Sequence, residues 1–123
     1  MLALRWAIYA KAEKHDMAFE VARGLVELVP DDASSWLKQA ESLRKMPGGG
    51  AKAALDSLLP VADRFPDDVA LLYSLACYSC QAGDLKSAWS WLQRAMDKGG
   101  DKIKLVALDD KELEPLWVDI AEI

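Results

Sequence analysis

A tetrapeptide that occurs twice constrains this chain more than any other feature. Val29-Pro30-Asp31-Asp32 returns as Phe65-Pro66-Asp67-Asp68 after 36 residues. Each copy follows an amphipathic stretch of helical period and precedes another, so the chain reads as a repeated helical unit.

The same repetition runs through the apolar positions. Ala18, Ala54 and Ala88 each open an apolar seam, followed four residues on by Ala22, Leu58 and Leu92. Pro30 and Pro66 stand twelve residues after the first two alanines, and Gly100 twelve after the third, each a helix terminator. Asp16, Asp84 and one of each aspartate pair at 31/32 and 67/68 suit N-caps, and Gly83 suits a left-handed helix end. These signals predict helices near 2–14, 16–29, 32–45, 51–64, 68–81 and 84–97. Beyond them, Asp101 is expected to cap a short helix bearing Ile103, Val106 and Ala107. Asp109 and Glu112 have capping-box spacing, and Pro115 suits the first turn of a last helix with Leu116, Trp117 and Ile120.

Trp36, Ala40 and Leu43, then Leu72, Leu75 and Ala76, and earlier Leu2 and Tyr9, fall where one helical repeat places its large and small residues. In this the chain resembles the tetratricopeptide repeat (TPR), whose pattern of W-x2-L-G-x2-Y, then A-x3-F, then P spans about 34 residues. Leu2 to Pro30 and Leu72 to Gly100 both span 28 residues, while Trp36 to Pro66 spans 30, the surplus lying in Met46-Pro47-Gly48-Gly49-Gly50. Arg5 and Gln39 replace an expected Leu, and Ser79 an expected Tyr. The resemblance implies an all-α, TPR-like α-solenoid forming one domain over 1–123. Its helix-turn-helix repeats would lie near 1–30, 31–66 and 67–100, with a C-terminal capping segment at 101–123.

Packing gives a physical reason for such a pattern. Small residues at Ala40 and Ala76 let paired helices approach closely, while Trp36, Leu58, Leu72 and Leu92 fill the space between neighbouring hairpins. Each large side chain so buried contributes about 1.5–3 kcal/mol. One hairpin cannot cover its own apolar face, so several must stack, and the last requires a cap that is polar outside.

The resemblance also implies a function. In proteins of this kind the first helix of each pair lines a concave side. The matching positions are Ala3, Ala7 and Lys11, then Leu37, Glu41, Arg44 and Lys45, then Tyr73, Cys77 and Cys80. Relatives that grip a terminal carboxylate use Lys, Asn and Arg at inner positions where this chain has Ala3, Ala7, Glu41, Ala70 and Ser74. The mostly small and apolar lining better suits an amphipathic helix or apolar peptide of a partner protein, the chain's own cap, or a second copy in a homodimer. The expected role is a protein-binding adaptor or scaffold, not an enzyme. A dedicated chaperone for an aggregation-prone partner is the alternative.

Composition narrows the classes further. At 52% apolar and 28% charged residues, the chain has the balance of a soluble globular protein. Its longest apolar runs, 6–10 and 69–73, are far short of the roughly 20 residues a membrane helix needs. Of the charges, residues 1–98 hold 12 basic and 13 acidic groups and residues 99–123 hold 3 and 7, which gives the net −5 and makes the tail the acidic part. Nucleic acid and anionic membrane, which call for a clustered basic face, are not expected partners. Ala10-Lys11-Ala12 resembles a signal-peptidase site, but Arg5 interrupts the apolar stretch before it, so a cytoplasmic location is expected.

Few residues point to chemistry. Cys77-Tyr78-Ser79-Cys80 is a C-x-x-C, a redox pair or half a zinc site in its sharpest reading. It falls deep in a predicted helix, not at its N-terminus, and His15 is the lone histidine, so packing is the expected role and no cofactor or metal is expected. His15 itself reads as a turn residue. The glycine-rich turn after Met46 lacks the Lys-Ser/Thr of a phosphate loop. Of five tryptophans, Trp89 and Trp91 sit two apart on one helix and must point in different directions. Trp91 is the one expected to leave the seam, either covered by the C-terminal segment or exposed as an aromatic anchor for a partner.

Overall fold

The computed structural model of the protein describes residues 2–123, whose regular elements are all helices, with no strand among them. The order is α1 (Leu2–Lys11), α2 (His15–Leu28), α3 (Ala33–Lys45), α4 (Ala51–Leu58), a 3-10 segment (Leu59–Arg64), α5 (Val69–Gln81), α6 (Leu85–Gly99), α7 (Asp101–Leu108), a second 3-10 segment (Lys111–Leu116) and α8 (Trp117–Ala121). Among the described residues no helix is long and apolar enough to cross a membrane. Two compact units divide the chain, one running to Val61 and one beginning at Ala62.

In the first unit successive helices pack in chain order, α1 on α2, α2 on α3 and α3 on α4. Ala18, Ala22, Ala40 and Ala54 are all 0% exposed, as small residues are where packed helices approach closely. Two indole N–H groups tie the helices further: Trp6 Nε1 donates to Ser42 Oγ at 2.6 Å and Trp36 Nε1 to the Pro30 carbonyl at 2.8 Å. The α1–α2 turn closes with Lys14 N–H on the Tyr9 carbonyl (2.9 Å) and Glu13 N–H on that of Ala10 (3.1 Å), which puts Glu13 in the left-handed region at φ 61°. Asp32 caps α3 by accepting the Ser34 amide at 2.9 Å. After α3 the chain doubles back so tightly that a Cβ on Gly49 would strike the Leu43 carbonyl, hence the glycine-rich turn. In contrast, α1 buries none of its residues, and Leu4 and Ile8 are more than half exposed.

The second unit is organised around α5. Leu71, Leu72 and every residue from Leu75 to Cys80 are buried, so α5 is covered on nearly all sides. Asp68 caps it by accepting the Leu71 amide (3.0 Å), and Asp84 caps α6 through the Ser87 amide (3.1 Å). The intervening turn repeats the α1–α2 geometry with a glycine: Asp84 N–H meets the Ser79 carbonyl, and Gly83 has φ 89°. Helix α6 faces α5 with Ala88, Leu92 and Ala95, all fully buried. From Gly100 onward α7, the second 3-10 segment and α8 fold back, and Ala107, Leu113, Leu116 and Ile120 join one apolar cluster with Ala76, Cys77, Cys80, Ala88 and Leu92.

The helices match the sequence expectations closely, but several details differ. Pro115 and Leu116, expected in the last helix, lie in the second 3-10 segment, and α8 begins only at Trp117. The stretch expected as one helix over 51–64 turns to 3-10 at Leu59, because Pro60 has no amide to continue the i→i−4 ladder. Asp16 lies inside the first turn of α2; the N-cap is Lys14, which makes no side-chain cap bond. Gly100, not Asp101, is the N-cap of α7. Asp110, not Asp109, caps the second 3-10 segment, accepting the Glu112 amide at 3.0 Å.

Candidate functional site

The residues aligned along the first-helix faces fall into two sets, one in each unit. In the first unit, Leu37, Glu41 and Arg44 are half-buried and Lys45 is exposed, all on α3. Helical spacing brings Glu41 between two cations: Arg44 Nη2 lies 2.9 Å and Lys45 Nζ 3.1 Å from Glu41 Oε1. On α1, Ala3, Ala7 and Lys11 are exposed.

In the second unit, Tyr73, Cys77 and Cys80 share a face of α5, and the chain's own C-terminal segment packs on it. Tyr73 Oη donates to Asp110 Oδ2 at 2.7 Å, and Cys77 Sγ lies 3.8 Å from the same oxygen. The other carboxylate oxygen of Asp110 takes the Glu112 amide, so one side chain starts the 3-10 segment and pins it to α5. Behind this polar point Leu113, Leu116 and Ile120 are 0%, 3% and 0% exposed. Trp117 Nε1 donates to the Ala107 carbonyl (2.9 Å) and, more distantly, to that of Asp110 (3.2 Å), locking the segment's bend.

Electrostatics at this point disfavour thiolate chemistry. Burial, then the nearby Asp110 and Glu112 carboxylates, push the Cys77 thiol well above its ordinary range. The same three causes raise Cys80, and burial with the Asp110 hydrogen bond raises the Tyr73 phenol. A reactive cysteine needs the opposite surroundings, a positive field that lowers its pKa. Cys77 Sγ and carboxylate oxygens of Asp110 and Glu112 all lie within 4.8 Å of one another, close enough to share a small cation. Asp110, however, already serves as cap and as acceptor for Tyr73, which accounts for its position without an ion.

Trp91 is half-buried against the apolar cluster of the second unit, as is Trp89, and the Arg94 guanidinium lies 4.7 Å from the Trp91 ring centroid. His15 opens α2 and is half-buried. A cavity of about 460 Å³ in the first unit is lined by Arg5, Tyr9, Asp16, Met17, Glu20, Val21 and Met46, none of which belongs to the first-helix set.

Sequence reasoning placed Tyr73 and Cys77 on one face but missed Asp110, the residue that engages both. Its signal was present, since an aspartate opening Asp-Lys-Glu is a cap; nothing local pairs it with a tyrosine 37 residues away. Neither a comparison with protein-family models nor one with curated proteins finds a match to this sequence.

Proposed function

We propose that the protein is a TPR-like helical-repeat module that binds a short helix or peptide of a partner protein on its first-helix faces, acting as an adaptor or scaffold. The carrying observation is in the second unit: the face bearing Tyr73, Cys77 and Cys80 and the apolar cluster around it hold an amphipathic segment by three buried apolar side chains and one carboxylate. A helix face that seats such a segment has the chemistry for helix-in-groove recognition. The half-buried Leu37, Glu41 and Arg44 with exposed Lys45 form a second, more highly charged stretch on α3. Recurrence of buried alanine at 18, 54 and 88, and of caps at Asp32 and Asp68, supports the repeat reading.

Selection from a displayed library of 15-residue peptides tests this. Enriched sequences should be amphipathic and acidic, and Arg44→Glu with Lys45→Glu should weaken their binding by about tenfold or more, with the melting temperature preserved. Enrichment no better than for scrambled peptides would refute it. Exposed Leu4, Ile8 and Met17 in the first unit favour a second reading, a chaperone that shields one partner, which predicts copurification as a defined heterodimer.

A further inference from the structure

From the seated C-terminal segment we infer that the α5 face, with the apolar cluster around it, is built for a partner helix carrying a carboxylate three residues ahead of apolar side chains at positions i, i+3 and i+7, and that residues 110–120 occupy its place until that helix arrives. This rests on the peptide-binding reading above and names the partner's chemistry. Asp110, Leu113, Leu116 and Ile120 supply that pattern, and each makes its contact in the second unit: the carboxylate with the Tyr73 hydroxyl, the three apolar side chains within the cluster around Cys77 and Leu92.

The occupant's own construction makes it replaceable. It comprises a six-residue 3-10 segment and a five-residue helix, well below the roughly 12–15 residues at which an isolated helix becomes even marginal. Its order therefore comes from docking, and such short terminal elements open at lower free energy than the helices beneath them. In the 3-10 turn, side chains three apart eclipse, which aligns Leu113 with Leu116 toward α5 and turns Lys111 and Glu114 to solvent. The outward side also carries Val118 at 71% exposure, and besides the apolar cluster the segment is held by α7, where Lys104 Nζ donates to the Ile123 carbonyl at 2.8 Å. Tethering gives the segment an effective concentration of order millimolar, so a partner must match its contacts and exceed its count of them to win.

The experiment uses the full chain and a fluorescent peptide of residues 109–123 as the probe. In Leu113→Ala/Leu116→Ala the tethered segment is weakened, and the probe should bind at least about tenfold more tightly than it binds the parent. A double-mutant cycle then checks the polar point: Asp110→Asn in the probe should weaken binding about tenfold, and should have little effect once the protein carries Tyr73→Phe. A folded double variant that ignores the probe overturns the inference, as does a cycle with additive losses. A concentration-dependent dimer formed by exchange of these segments would assign the face to a second copy instead, and also overturns it. Hydrogen exchange on the parent gives an answer even if the double variant fails to fold: amides of 111–121 should exchange faster than those of α5, and equal protection rules out replacement. Failure here leaves the α3 test with Arg44→Glu and Lys45→Glu standing, so the two readings separate.

Discussion

Glu13 and Gly83 occupy the same place in two helix-to-helix turns, 70 residues apart, as do Tyr9 and Ser79 just before them. Both have positive φ, 61° and 89°, but only glycine adopts that region without a Cβ penalty. Glu13→Gly should therefore stabilise the protein by about 1 kcal/mol, read as a higher urea midpoint at unchanged slope. Ser79 carries a different local cost. Its hydroxyl is fully buried and makes no hydrogen bond, although the polar group was desolvated to put it there. Ser79→Ala should gain about 1 kcal/mol in the same assay, and a loss would show that the hydroxyl has a partner after all. Neither position announces itself in the sequence. A glutamate in a left-handed turn breaks the usual preference, and a helical serine reads as neutral until its surroundings are known.

At the level of elements, legibility follows the range of the interaction that defines each boundary. Asp32, Asp68 and Asp84 cap their helices as expected because an N-cap bond reaches only two or three residues along the chain. The buried alanines were legible for a similar reason: size at helical spacing reports the stripe that must be covered. Asp109 and Asp110 were harder to tell apart, since adjacent residues offer the same chemistry and the tertiary bond to Tyr73 selects the second. Helix crossings are sensitive to side-chain volume. Ala76 is 0% exposed on α5 within the cluster that includes Leu92 and Leu113, leaving no room for three more carbons. Ala76→Leu should cost about 1–3 kcal/mol by thermal melt, and an unchanged melt would mean that α5 is not closely packed there.

For the molecule as a whole, the contact that most shapes its chemistry is also the one that sequence reasoning could not reach. Tyr73, Cys77 and Cys80 meet Asp110 and Glu112 only after the C-terminal segment has folded back, and this meeting ties global stability to alkaline pH. In the folded state burial and the two carboxylates hold both thiols and the phenol neutral, whereas in the unfolded chain they ionise near their ordinary values of 9.0 for Cys and 10.0 for Tyr. Above those values the unfolded state has lost protons that the folded state keeps, so stability must fall as pH rises. The stabilisation is complete below pH 9.0 and is lost progressively on the way up to the raised folded values. For the well-buried Cys77 the slope is at most about 1.4 kcal/mol per pH unit, and Tyr73 adds less because more of it meets solvent. Urea denaturation of the parent and of Cys77→Ser, from about pH 8 to about pH 10.5, should show the variant's stability falling less steeply, with the two curves parallel at lower pH. Parallel curves throughout would mean that Cys77 is not held neutral beside Asp110, and that the C-terminal segment does not sit on α5 in solution.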